Sequence, residues 1–265
     1  MEIISKISKG SRMDQVYIPK RRLGFEIGSH VIIKPLQELE KHIEKPFFYN
    51  INFLEPIKVN IINEIFENID KIFKTYDNII ITGSFLEKGF HFNDIDVLIV
   101  MDDHIDEKYL EELVENKLGI KPHIILINNK SLIKGLNTDP LYQTMLSKCV
   151  SRKRFIYKTK HEINYKILDL HLLKSKLFVE NFNMLNGNEK YEMLRNVVSI
   201  SLFLDKKEVS KNKVDKEIAK LFGKNTYKEI KDNIISDKKK FLRMYRKLYK
   251  KLQTKILRGI KSGSK

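Results

Sequence analysis

Apolar positions in this chain fall into blocks, some with helical spacing and others as short continuous runs. After Pro56, Val59, Ile62, Ile65, Phe66, Ile69, Ile72 and Phe73 recur at intervals of three and four, which places them on one helix face. Pro56 stands where a first helical residue tolerates proline best. Asn78-Ile79-Ile80-Ile81-Thr82 predicts a buried strand that stops at Gly83-Ser84, and Asp94 to Met101 predicts a second. A helix over about 106–118 follows, closed by Gly119, then a third strand at His123–Ile127. Asp139-Pro140 opens a short helix through Leu146, and Arg154-Phe155-Ile156-Tyr157 predicts a fourth strand. This alternation predicts an α/β (α+β) core with a mixed sheet.

Beyond residue 162 the period becomes helical throughout. Ile167, Leu168, Leu170, Leu172, Leu173, Leu177 and Phe178 predict one long helix closed near Gly187. Tyr191–Leu204 and Val209–Phe222 predict two more, and 237–260 a last one with Phe241, Tyr245, Leu248, Leu252 and Ile256 on its apolar face. Upstream, Gln15–Ile18 and His30–Ile33 read as strands around a turn-rich segment, and 46–55 reads as aromatic and turn-like. The expected organisation is a small β-rich appendage at 1–45, an α/β domain at 46–160 and an all-helical domain at 161–265.

Charge sharpens that division. The 265 residues carry a formal charge of +16. Residues 151–265 hold 31 Lys and Arg against 12 Asp and Glu, a net of +19, and the remainder holds 19 against 22, a net of −3. The last helix alone contributes Lys238, Lys239, Lys240, Arg243, Arg246, Lys247, Lys250, Lys251, Lys255 and Arg258. A basic surface of this density attracts a phosphate backbone, and the helix lacks the Trp and the wide apolar face of a membrane binder. No run reaches 18 uncharged apolar residues, the opening Met1-Glu2-Ile3-Ile4 has neither the basic start nor the apolar run of a signal peptide, and the single cysteine, Cys149, builds neither a disulfide nor a zinc cluster. A cytoplasmic protein with no membrane partner is expected.

The chemistry concentrates in Thr82-Gly83-Ser84 and, nine residues on, Asp94-Ile95-Asp96-Val97. A glycine lets backbone approach a phosphate closely, and N–H groups at the start of a short helix, expected here over Phe85–Lys88, bind anions. Asp94 and Asp96 are two apart on a strand, so both carboxylates project from one face. Adjacent carboxylates repel one another unless a divalent cation sits between them. A phosphate cradle facing a metal-binding pair is what phosphoryl and nucleotidyl transfer require.

Those residues resemble the signature of the polymerase-β-like nucleotidyltransferases, in particular the minimal members: hydrophobic-Gly-[Gly/Ser], nine to thirteen residues, then Asp-hydrophobic-[Asp/Glu]-hydrophobic. The resemblance covers about 57–158. It implies that Gly83 and Ser84, with Lys88 in the following loop, hold the triphosphate of an NTP, ATP being the expected one. It also implies that Asp94 and Asp96 ligate Mg²⁺ or Mn²⁺. A third carboxylate would stand on the next strand as metal ligand and base; His123 occupies that place, and a neutral imidazole can ligate a metal and accept a proton. The implied activity is transfer of a nucleoside monophosphate to a hydroxyl of RNA or, secondarily, of a protein, with the basic helices holding the acceptor. The alternative is a catalytically degenerate, nucleic-acid-binding regulator or antitoxin-like module.

Other candidates carry less. His91 lies in the loop before Asp94, and Asp102 and Asp103 follow the second strand as turn residues. Tyr142, Tyr157 and Tyr165 suit core or boundary packing, with stacking on a base as the alternative, and His161 and His171 suit surface or packed helical positions. The segment from Tyr17 to Gly28 resembles the swapped-hairpin DNA-binding domains of the AbrB type, with a helical turn about three residues shorter; a β-hairpin appendage is the expectation there.

Overall fold

The computed structural model describes residues 5–18, 20, 27, 33, 45–90, 92–103, 106–154, 157 and 159–262. The chain divides into two compact units, 1–43 and 44–265. In the first, β1 (Ile7–Ser8) pairs antiparallel with β2 (Gln15–Val16), Ile7 opposite Val16. Residues 30–32 of the expected partner strand and most of the segment with the AbrB-type resemblance lie outside the described residues, and Ile33 is in no strand.

The second unit is mixed α/β. Its sheet contains β3 (Phe47–Tyr49), β4 (Asn78–Thr82), β5 (Ile95–Val100), β6 (Pro122–Ile127) and β7 (Cys149–Ser151), in the order β3-β7-β4-β5-β6. The β5–β6 pair is parallel and the other neighbours are antiparallel. β4 is buried along its whole length, which is why it reads as an unbroken apolar run. Alternate residues serve two cores. Ile79, Ile81, Ile95, Val97, Ile99 and Ile124 face α1 (Pro56–Ile72) and α2 (Glu107–Leu118). Ile80, Leu98, Val100 and Ile125 pack with α3 (Asn129–Thr138) and α4 (Pro140–Leu146). On α1, Ile62, Ile65, Phe66 and Ile69 are fully buried, each contributing about 1.5–3 kcal/mol over an exposed position.

β6 is an edge strand, and α2 covers its outer backbone. Ile124 N–H donates to Glu111 Oε1 and Leu126 N–H to Glu107 Oε1, both at 2.9 Å. These bonds satisfy the donors an edge would leave open. α2 starts at the Asp106 cap and ends at Gly119 in the left-handed conformation (φ 65°).

The helical half comprises α5 (Tyr165–Lys174), α6 (Leu177–Glu180), α7 (Gly187–Leu204), α8 (Lys211–Phe222), α9 (Thr226–Lys231) and α10 (Lys238–Ser262) around their own apolar cluster. α4 docks the two halves of this unit: Thr144 Oγ1 lies 3.2 Å from Ser199 Oγ in a buried contact, and His171 Nε2 lies 2.8 Å from Asp139 Oδ2. Among the described residues, no helix is long and apolar enough to cross a membrane.

Several expectations change. The helix read as continuous from 167 to 187 breaks at Ser175, and Gly187 opens α7 where it was expected to close a helix. A Cβ on Gly187 would fall 2.0 Å from the Lys231 carbonyl oxygen, so the glycine is a packing requirement. The last strand is β7 at Cys149–Ser151; Arg154 and Tyr157 lie outside any strand, and Phe155 and Ile156 are outside the described residues. The aromatic stretch at 46–55 contributes β3, which pairs with β7. The sequence reading contained neither α3 nor α9. The short helix expected over 85–88 is a 3₁₀ turn at Ser84–Leu86.

Candidate active site

The site stands at the end of the sheet where β4 leaves for the Gly83-Ser84 turn. Thr82 is the register partner of Asp96 on β5, and Asp96 is the partner of His123 on β6. β5 begins at Ile95, one residue later than expected, so Asp94 stands just before the strand, where its charge reaches the Asp96 carboxyl. Thr82 Oγ1 donates to the Met145 carbonyl at 2.7 Å, which fixes the strand end against the last turn of α4.

Gly83 has φ 87° and caps the 3₁₀ turn, a conformation costly for residues with a Cβ. A Cβ there would also lie 1.9 Å from Asp96 Oδ2. The glycine therefore lets the turn run against the carboxylate. Ser84 is exposed at the start of the turn, and Glu87 N–H donates back to the Ser84 carbonyl at 3.0 Å.

His123 Nδ1 lies 3.2 Å from Asp96 Oδ1. The imidazole is about half exposed and Asp96 about one third. Burial pushes the Asp96 carboxyl above its ordinary value, the bond from His123 pulls it back, the charge of Asp94 pushes it further up, and Arg195 pulls it down. Arg195 comes from α7 and had no place in the sequence reading. In sequence it stands beside Asn196 and three residues from Glu192, a polar step in the helix that carries no signal of its own. Its Nε is buried and makes no hydrogen bond, and its remaining ion pair, with Glu192, is long at 3.9 Å.

The loop after the turn is pinned from beneath. Lys58 on α1 is fully buried, with Nζ 2.5 Å from the Glu87 carbonyl, 2.6 Å from the Gly89 carbonyl and 3.2 Å from Glu55 Oε2. Glu55 Oε1 accepts from Gly89 N–H at 2.7 Å, a bond that holds the carboxyl below its usual range. Phe85, Phe90 and Phe92 surround the ammonium. Lys88 is exposed on this loop, and His91 lies outside the described residues. Asp102 and Asp103 are exposed at the far end of β5, about 20 Å along the strand from Asp96 by strand rise. Tyr142 packs on Gly135 of α3, and burial pushes the Cys149 thiol up to about 12.

Among the described residues no three His, Cys, Asp or Glu side chains form a metal-binding group. Asp94 with Asp96 is a two-carboxylate pair, the protein share that Mg²⁺ usually takes when substrate phosphates and water complete its shell. The raised Asp96 carboxyl, with Asp94 contributing to the rise, fits a position that a cation would relieve. No family model, curated protein or solved structure matches this chain.

Proposed function

We propose that this protein is a metal-dependent nucleotidyltransferase that moves a nucleoside monophosphate from an NTP, ATP foremost, to a hydroxyl of an RNA acceptor. The observation that carries this reading is the convergence of a positive-φ glycine turn with Asp96 and His123 in one register line. In that arrangement a glycine turn, a carboxylate and an imidazole meet at one strand end, which supports reading them as phosphate cradle, metal ligand and base.

Gly83 and Ser84 would hold the triphosphate through backbone N–H groups, with Lys88 and Arg195 countering its charge. Asp94 and Asp96 would hold Mg²⁺ or Mn²⁺, which supplies polarisation of the phosphoryl oxygens when bound. With Asp96 ionised, its Oδ1, 3.2 Å from His123 Nδ1, would accept from Nδ1–H and so favour the tautomer whose Nε2 takes a proton. The acceptor oxygen bonds to the α-phosphorus, and its proton passes to His123 Nε2. The α-phosphorus bond to the β-bridging oxygen breaks and pyrophosphate leaves. The basic outer positions of α10 would carry the acceptor's backbone.

A second reading is favoured by His123 standing where the resemblance implies a carboxylate: a regulator that binds nucleic acid without transfer. Incubation of the full chain with Mg²⁺ or Mn²⁺ and labelled NTPs, with and without RNA, separates them. Label on RNA that disappears in Asp96→Ala supports the transferase. Salt-dependent RNA binding that survives Asp94→Ala and Asp96→Ala, with no label on any acceptor, supports the regulator and rejects transfer.

A further inference from the structure

Between the sheet and the helical half of the 44–265 unit lies a cavity of about 210 Å³. Gly83, Ser84, Asp94, Asp96 and His123 take no part in its lining; it is built from Ser147 and Lys148 between α4 and β7, Asn50 beyond β3, and the start of α8 with the residues just before it. At that size it is smaller than the 300 Å³ or so at which small-molecule pockets usually begin. It suits a single compact group better than a whole nucleotide.

Its chemistry is one-sided. Lys148, Lys211, Lys213 and Lys216 line it against a single carboxylate, Glu208, which stands 4.0 Å from Lys213. Lys148 and Lys211 are mostly buried, and both direct their ammonium groups to one oxygen, Glu87 Oε1. These lysines hold the Glu87 carboxyl low despite its burial. Glu87 answers both of these ammonium groups and Asp215 adds a second negative charge near Lys211, so the positive excess rests on Lys213 and Lys216 against Glu208.

The start of α8 adds donors. Ser210 caps it without a side-chain bond, and its first turn holds no acidic residue. Lys211 N–H donates to Ser147 Oγ at 3.0 Å, while Asn212 and Lys213, which carry the next N–H groups, line the cavity. Helix-start N–H groups facing several ammonium groups form a receptor for a tetrahedral dianion.

We propose that this cavity is a phosphate-binding site distinct from the Gly83–Asp96 turn, taking a phosphate group that is either free or carried on a nucleic acid. The proposal stands whether or not the chain transfers nucleotides. Calorimetric titration of the full chain with inorganic phosphate tests it, using wild type, Lys213→Gln/Lys216→Gln at exposed positions, Lys148→Gln and Asp96→Asn. Saturable binding is expected, weakened about tenfold or more in the double variant, in line with the loss of charge-assisted bonds. Asp96→Asn should bind as wild type does. Lys148→Gln should also weaken binding, with circular dichroism confirming the fold. No saturable binding, an affinity within twofold of wild type in the double variant, or an equal loss in Asp96→Asn would overturn the proposal. Short RNAs with and without a 5′-phosphate separate the sources: a preference for the phosphorylated RNA that vanishes in the double variant supports an RNA-borne group. Equal binding of both RNAs alongside saturable inorganic phosphate supports a free one.

Discussion

Gly83 and Asp96 occupy neighbouring strand ends so closely that a Cβ on the glycine would sit 1.9 Å from the carboxylate's Oδ2. Gly83→Ala therefore meets two obstacles, a φ of 87° and the Asp96 side chain. The expected cost is about 1–3 kcal/mol, typical of strained backbone at a functional position. Thermal unfolding should show this loss while circular dichroism stays native-like. Nucleotide titration should show a loss of affinity larger than the change in stability explains.

Asp96 gives a pH dependence with a definite sign. Its carboxyl titrates above its ordinary value in the folded protein, so between the unfolded and folded values the native state binds more protons and stability falls as pH rises. Asp96→Asn removes the charge that causes this fall. Its melting temperature should match that of wild type at acid pH, where the carboxyl is protonated in both states, and exceed it at neutral pH. Mg²⁺ should stabilise wild type at neutral pH and leave Asp96→Asn nearly unchanged; melts across pH 3–8 with and without the ion measure both effects.

Arg195 lowers the Asp96 carboxyl from a different half of the unit. Arg195→Ala should move the Asp96 titration upward and raise KM for the NTP about tenfold or more, the worth of a charge-assisted contact. Arg195→Lys should restore the titration more fully than the KM, because an ammonium supplies charge without the guanidinium's fork. Carboxyl titration by NMR together with steady-state kinetics separates the two effects.

Lys58→Met would leave Glu55 without its counter-charge and two carbonyls without a donor. Leaving those two carbonyls unsatisfied costs about 1–3 kcal/mol. Glu55→Gln added to Lys58→Met should recover part of the loss, and urea unfolding of the single and double variants measures it. Hydrogen exchange at Gly89 should rise in both.

What the chain disclosed in advance was local. β4 and β5 are buried runs of β-branched residues, and α1 has a full apolar face, so period and burial agree. β3 stayed hidden because it spans three residues, with Phe47 and Phe48 both exposed, too short for alternation to register. α3 contains Gly135, which weakens the helical reading, yet the glycine is there because a Cβ would meet the Tyr142 ring at 2.8 Å. The site divides in the same way. Gly83, Asp94 and Asp96 fall within one short stretch, and the place of His123 was anticipated from the next strand. Arg195 and the Glu87–Lys148–Lys211 cluster join residues that only the docking of α7 and α8 onto α4 brings near one another.

Lys58 and Glu55 grip the loop after the Gly83-Ser84 turn through its carbonyls and one N–H, groups every residue there possesses. The loop's position is thereby uncoupled from the identity of its exposed side chains. Lys88 can be exchanged for a residue of another charge or length without moving the turn, so the substrate preference of this edge of the site can be varied while its geometry stays fixed.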